Sequence, residues 1–355
     1  MIACRWLREG RARLLLLSVL LAALLFMMNH PLTREEERLY RKVEAAQSFL
    51  WEELGRRGLE RDEAADPWHS GFIGLEWSPM TTTLGNLKAK RCSTDPLWAV
   101  QMLRWFDELG IKKGERIAVL ASSSFPGLLY AVLTAAEERG LEVSLGVSLG
   151  ASTWGANRPE LPWPRLAGIL RRGGFLKTRP ILYTLGGDNE NGGGMADEAR
   201  ELLTAAALED GLTPLLNKTL KEAIAAKMRL IQDARLVVSI GGSEGNLGDD
   251  PDVLRLPPGL LRPHSGGGNG VIGLALEKGY PVLHLLNLRT LADACGIAWN
   301  TRRPGFAGRG SITAATLGLG LFLLFMATHK RWGWEEESLP HERRSQNFNS
   351  AWLPS

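Results

Sequence analysis

The feature that most constrains this chain is a repeated local order: a short apolar run, then glycines and small polar residues, then a helix-like segment. Residues 116–121 (RIAVLA) run into Ser122-Ser123-Ser124-Phe125-Pro126-Gly127. The apolar stretch 141–149 runs into Gly150-Ala151-Ser152-Thr153-Trp154-Gly155-Ala156-Asn157. Residues 179–185 (RPILYTL) lead to Gly186-Gly187-Asp188-Asn189-Glu190-Asn191-Gly192-Gly193-Gly194, and 235–240 (RLVVSI) to Gly241-Gly242-Ser243-Glu244-Gly245-Asn246. Helical spacing occupies 126–138, 195–208, 220–233 and 268–278, and 281–286 (PVLHLL) forms a last strand. Apolar strands of this length separated by helices predict an α/β fold with a doubly wound, mostly parallel, Rossmann-like sheet.

In such a sheet, ligands bind beyond the carboxyl ends of the strands, where helix N-termini also point. Ser122, Ser123, Ser124, Ser152, Thr153, Asn157, Gly186, Gly187, Asp188, Gly241 and Gly242 are therefore candidate ligand-binding residues. Thr81, Thr82, Thr83, Lys90 and Arg91, before the first strand, add hydroxyls and cations. Exposed N–H groups and hydroxyls of this kind suit a carboxylate or a phosphate. Each loop alone also fits an ordinary strand-to-helix turn. A fifth glycine-rich stretch, His264-Ser265-Gly266-Gly267-Gly268-Asn269-Gly270, precedes a helix instead.

Established chemical motifs are mostly absent. There is no G-x-x-x-x-G-K-[ST], no H-E-x-x-H, and no G-x-G-x-x-G after the first strand. The run from Asp188 to Gly193 has a superficial calcium-loop look, but Gly192 and Ala199 fall where ligands are needed, so no metal site is expected. Gly241-Gly242-Ser243-Glu244-Gly245 fits G-x-S-x-G after a strand, with Asp249 or Asp250 and His264 or His284 following in triad order. The residues after it are poor helix material, and His284 lies within an apolar strand. Ser124, Ser243 and His264 are the weak catalytic candidates, and no cofactor is indicated.

Both ends of the domain are bracketed by 20-residue runs without Asp, Glu, Lys or Arg, at 14–33 and 310–329. At roughly 1.5 Å per residue, each is long enough as a helix for a hydrocarbon layer of about 30 Å. No small-residue cleavage site follows the first run, which favours an uncleaved signal anchor over a signal peptide. Arg302, Arg303, Arg309, Lys330 and Arg331 flank the second, with Trp332 and Trp334 placed for an interfacial belt. Arg5, Arg8, Arg11 and Arg13 place the N-terminus in the cytoplasm. The expected order is a cytoplasmic segment 1–13, a span 14–33, a helical stalk and lead-in 34–110, an extracytoplasmic α/β domain 111–309, a span 310–329 and a cytoplasmic tail 330–355. The protein would then sit in the cell membrane as a two-pass chain.

Composition closes off several classes. The chain is 45% hydrophobic and 23% charged, which excludes wholesale disorder. With 42 basic against 39 acidic residues, the net charge of +3 does not indicate a nucleic-acid partner. Three cysteines, Cys4, Cys92 and Cys295, with no C-x-x-C, exclude a disulfide scaffold. Outside the cytoplasm a Cys92–Cys295 disulfide would be permitted.

Several segments together resemble the poly-gamma-glutamate system proteins, membrane proteins associated with bacterial poly-γ-glutamate synthesis and thus with a capsule polymer. They are Ser78-Pro79-Met80-Thr81-Thr82-Thr83-Leu84-Gly85, Ala89-Lys90-Arg91, Ser124-Phe125-Pro126, Gly150-Ala151-Ser152-Thr153-Trp154-Gly155-Ala156-Asn157, Leu185-Gly186-Gly187-Asp188 and Gly241-Gly242. In order and spacing they span roughly residues 70–300. The family pattern favours a further Gly or Ala near Ser243, so a family-wide triad serine there is not implied. The resemblance implies a place in the synthesis, export or trimming of the polymer rather than a reaction. The expected partners are poly-γ-glutamate or its termini, other membrane subunits of that machinery, and the membrane. Three roles stay open: an accessory subunit binding the polymer at the strand-end loops, a serine-dependent amidohydrolase or transferase, and a non-catalytic scaffold.

Overall fold

The computed structural model describes residues 10–28, 32–301 and 312–329. Residues 29–309 form one compact unit, and the terminal helices Gly10–Met28 and Ile312–His329 belong to a second.

The larger unit begins with α1 (Arg34–Arg56), α2 (Leu87–Ser93) and α3 (Leu97–Glu108), then alternates β1 (Arg116–Ser122), α4 (Pro126–Arg139), β2 (Glu142–Ser148), α5 (Trp163–Arg172) and β3 (Leu182–Thr184). It continues with α6 (Asp197–Glu209), α7 (Leu220–Leu230), β4 (Leu236–Ile240), the one-turn α8 (Glu244–Leu247), β5 (Gly259–Leu261), α9 (Val271–Glu277), β6 (Val282–Leu285) and α10 (Leu288–Cys295). The six strands form one sheet in the order β3-β2-β1-β4-β6-β5. Every pairing is parallel except β5 with β6.

Both faces of this sheet are covered, which is why β1 and β4 read as continuous apolar runs rather than as an alternation. Ile117, Val119 and Ala121 enter one core with α1, α3 and α4, whereas Ala118 and Leu120 enter the other with α7 and α9. After β1 the chain winds outward through β2 and β3, then crosses back to add β4 on the other side of β1. That reversal opens a crevice at the carboxyl ends of β1 and β4, the usual ligand position in open α/β sheets.

The segment 34–110 is not a separate stalk. Thr33 caps α1 in a reciprocal capping box with Glu36, and Leu39, Val43, Ala46, Leu50 and Leu54 are buried in the domain core. These residues form one apolar stripe of α1, and its burial against α3 and α4 supplies the partner such a stripe needs.

Three elements differ from the sequence reading for local reasons. The strand expected over 179–185 shortens to Leu182–Thr184 at the sheet edge, beyond Pro180, which has no N–H to donate. The helix expected from Gly268 starts only at Val271, because Gly266, Gly267 and Gly268 hold φ of 81°, 132° and 77°. Strand β5, an antiparallel edge of three residues, was not foreseen.

In the smaller unit the terminal helices pack together, with Gly318 facing Leu21 and Leu24. Leu14, Leu15, Val19 and Leu20 on one helix, and Leu317, Phe322, Leu323 and Leu324 on the other, are exposed. Among the described residues no helix is long and apolar enough to cross a membrane. Both expected spans extend into residues outside the described ones, at 29–31 and 310–311. Arg5, Arg8, Arg302, Arg303, Arg309, the tail 330–355 with Trp332 and Trp334, and most of 1–13 also lie outside them. Cys92 and Cys295 are buried and are not joined in a disulfide.

Candidate functional site

The site is assembled from loops stitched to one another. Ser123 donates from both its N–H and its hydroxyl to the Ser148 carbonyl at 2.9 Å, tying the end of β1 to that of β2. The Ser124 hydroxyl accepts the Ser152 N–H at 3.0 Å. Asn157 fastens the segment before the first strand: its Oδ1 accepts the Leu75 N–H, and its amide donates to the Leu75 carbonyl and the Thr81 hydroxyl, each at 2.9 Å. Thr153 does the same for Gly85, accepting its N–H at 2.6 Å and donating to its carbonyl at 3.1 Å. Thr81, Ser123, Thr153 and Asn157 are thus occupied in holding loops together.

Gly241 shows why a glycine closes β4. Its φ is 77°, and a Cβ there would lie 2.3 Å from the Ser122 hydroxyl.

The assembled loops enclose a cavity of about 560 Å³ above the β1/β4 switch point. Thr82, Thr83 and Lys90 line it from the segment before β1, and Ser122, Ser124 and Ser152 from the ends of β1 and β2. Gly186, Gly187 and Asp188 reach it from the end of β3, and Gly242 and Ser243 from the end of β4. Thr81, Ser123, Thr153, Asn157 and Gly241 lie just behind this lining. Arg91 turns away, donating to the carbonyls of Ala64 and Ala65. His264 is exposed and lies outside the cavity wall.

Under the cavity lies a buried ionic network. Lys227, on α7, is 1% exposed and Glu190 is fully buried; the two are 2.5 Å apart. The Lys227 ammonium also donates to Ser148 Oγ at 3.0 Å, Asn246 Oδ1 at 3.0 Å and Ser243 Oγ at 3.1 Å. Glu190 accepts from Ser148 Oγ at 2.6 Å, Thr184 Oγ1 at 2.5 Å and the Gly245 N–H at 2.9 Å. Burial alone would raise the Glu190 carboxyl, but the Lys227 charge and these donors outweigh it and hold the pKa at about 2. Burial lowers the Lys227 ammonium, and Glu190 opposes that loss. The pair joins the ends of β2, β3 and β4 to α7.

Lys90 is the contrasting case. It is 1% exposed, and its Nζ donates to the Ser124 carbonyl, lies 2.6 Å from Ser152 Oγ and sits 4.0 Å from the centre of the Phe125 ring. Among the described residues no carboxylate is in contact with it, and burial pulls its pKa down to about 7.

The structure does not assemble the serine, aspartate and histidine of a triad. Ser243 stands in ordinary extended backbone, φ −63°, before the single turn of α8, which Gly248 ends with φ 79°. It therefore lacks the sharp strained elbow the motif requires. Asp250 caps the Asp252 N–H, Asp249 pairs with Asn269, and neither lines the cavity. His284 is buried in β6, where desolvation lowers its pKa to about 4 and its Nδ1 has no hydrogen-bond partner. Among the described residues no group of three His, Cys, Asp or Glu is placed to hold a metal.

Several lining residues escaped the sequence reading. Asn287 and Arg289 follow β6, so the strand-end rule applied to the last strand would have found them. Arg289 donates to Asp293 at 3.1 Å and lies 5.3 Å from the Trp299 ring centre, with both Arg289 and Trp299 on the cavity wall. Glu244 lines the opposite wall and accepts the Asn189 N–H. The cavity therefore carries the Arg289 guanidinium, the Lys90 amine and the carboxylates Asp188 and Glu244.

Fold and site together define an α/β protein with a mixed-charge cavity at the switch point of a mostly parallel sheet. Comparison with family models, with curated proteins and with solved structures found no match to this chain.

Proposed function

We propose that this protein is a membrane-anchored accessory component of poly-γ-glutamate synthesis or export, whose α/β domain binds the polymer, or a glutamyl end of it, in the strand-end cavity. The observation that carries the reading is the presence of both charge signs around one cavity. Arg289 and the surrounding hydroxyls and amides suit the carboxylates of a glutamyl unit, and Asp188 with Glu244 suits a terminal ammonium. A cavity of about 560 Å³ has the size of small-molecule sites, so it suits a chain end better than a long polyanion. The net charge of +3 agrees, being too small to grip an extended anionic polymer. The resemblance of the cavity-forming segments to the poly-gamma-glutamate system proteins supports the choice of ligand.

Attachment to the membrane is part of the same proposal. The terminal helices expose Leu14, Leu15, Leu20, Leu317, Leu323 and Leu324, which water would disfavour. With the arginines before the first helix, this supports a two-pass chain whose domain lies outside the cytoplasm, beside other membrane subunits.

The test is calorimetric titration of the full chain in detergent with short oligo-γ-glutamates bearing a free or an acetylated amino end. Saturable, salt-sensitive binding is expected, and Arg289→Ala should weaken it about tenfold, the equivalent of ~1.4 kcal/mol. Asp188→Asn combined with Glu244→Gln should weaken only the free-amine oligomer. Absence of saturable binding, or affinities indifferent to these changes, rejects the reading.

A further inference from the structure

Two serine–lysine pairs lie at the cavity, and their surroundings differ. At the first, Lys227 reaches Ser243 Oγ at 3.1 Å, but its Nζ is already engaged by Glu190 at 2.5 Å and by Ser148 and Asn246 at 3.0 Å. At the second, Lys90 Nζ lies 2.6 Å from Ser152 Oγ, and among the described residues no carboxylate is in contact with it. We propose that Ser152 and Lys90 form a nucleophile–base dyad that transfers the acyl group of an amide or ester carbonyl seated in the cavity. This rests on the reading of the cavity as a site for a glutamyl chain and assigns it a reaction.

A neutral amine has one lone pair and two N–H groups. One N–H of Lys90 donates to the Ser124 carbonyl, and at 2.6 Å from Nζ the Ser152 hydroxyl is within reach of the lone pair. Burial favours this uncharged form. The charged groups lining the cavity around Lys90 are Asp188 and Glu244, which favour its protonation, and Arg289, which opposes it. The Phe125 ring also favours the cation. The serine is fixed in place, since its N–H is held by the Ser124 hydroxyl at 3.0 Å and the next residue is bonded to Gly85. Asn86 and Asn287 line the same cavity and carry carboxamide donors of the kind a developing oxyanion needs.

The step balances without a further reagent. As the bond from Ser152 Oγ to the carbonyl carbon forms, the hydroxyl proton passes to Lys90 Nζ. When the carbon–nitrogen bond breaks, Lys90 returns that proton to the leaving amine. An acyl ester on Ser152 remains. Water then attacks the ester carbonyl and gives a proton to Lys90. As the bond from that carbon to Ser152 Oγ breaks, Lys90 passes the proton to Oγ, which restores the serine and releases the acid, ionised in water to a carboxylate. An amine in place of water yields a new amide.

The test uses the full chain in detergent with a fluorophosphonate probe, which reacts with activated serine hydroxyls. The expected result is one covalent adduct on Ser152, found by peptide mass, at a rate that rises with pH through about 7 as Lys90 loses its proton. Ser152→Ala should abolish the adduct, and Lys90→Met should slow it at least ~100-fold. Lys90 is a core residue, so Ser152→Cys gives a second measurement that leaves it in place. That thiol should be alkylated by iodoacetamide at pH 6 at least ~10-fold faster than an unperturbed cysteine. An adduct at Ser124 or Ser243, or an ordinary alkylation rate, overturns the dyad. Absence of any adduct while oligo-γ-glutamate still binds also overturns it and leaves the binding reading standing. An adduct on Ser152 without oligo-γ-glutamate binding supports the dyad and removes the proposed substrate.

Discussion

Replacing Lys227 with methionine should expose how much the cavity floor depends on its ion pair. Methionine keeps most of the side chain's volume but leaves Glu190 fully buried without its counter-charge. Removing one member of a buried pair costs about 3–5 kcal/mol. Here Ser148, Thr184 and the Gly245 N–H still donate to the carboxylate, which places the loss near ~3 kcal/mol. At roughly 2–4 °C per kcal/mol for a large domain, the melting temperature of the full chain in detergent, followed by tryptophan fluorescence, should fall by about 6–12 °C. Glu190→Gln on top of Lys227→Met removes the stranded charge and should recover ~2 kcal/mol or more.

The pH dependence adds a check of sign. In the wild type the Glu190 pKa of about 2 lies below the unfolded value of about 4.3, so its stabilisation is intact above that value and is lost as pH falls toward 2. In Lys227→Met, burial without a counter-charge raises the Glu190 pKa above the unfolded value, so acidification from pH 7 to 5 should stabilise the variant. A variant melting within about 2 °C of wild type, or one that gains nothing between pH 7 and 5, refutes the reasoning.

Two further expectations concern the frame of the site. Gly241→Ala combines a left-handed φ of 77° with a Cβ 2.3 Å from Ser122 Oγ, so it should cost about 1–3 kcal/mol in thermal melts and weaken oligo-γ-glutamate binding in titration. Burial, with Asp95 as a lesser cause, pushes the Cys92 thiol up to about 12, so maleimide should modify it only after denaturation, as peptide mass would show.

The sheet was legible because its central strands are buried on both faces. Residues 116–121 and 235–240 have no polar alternation to misread, and each is followed by a glycine or serine where the chain turns. Legibility failed at the edges. Strand β5 follows Pro257 and Pro258 and pairs over three residues, too few for a periodicity. Helix α5 opens with Pro162, Trp163 and Pro164; prolines that look like breakers are well accommodated in a first turn. Helical spacing over 34–56 cannot say what covers the apolar stripe of α1, so a core helix reads as a stalk.

The site divides along a similar line. Strand-end loops could be located from residue types alone, yet what each residue does depends on its neighbours in space. Thr81, Thr153 and Asn157 have the composition of a ligand site and spend their hydrogen bonds on the frame. Lys227 falls on α7 among charged positions and reads as a solvated lysine; nothing at that spacing announces Glu190, 37 residues earlier. The two serine–lysine pairs make the point chemically. Ser243 lies in the recognised motif, but its lysine is engaged by a carboxylate that comes from the end of another strand. Ser152 lay in no catalytic motif, and its lysine is left without a counter-charge by burial beneath Phe125. Proton affinity here is decided by which strand end brings a carboxylate to which lysine, and that is set by strand order, not by spacing along the chain.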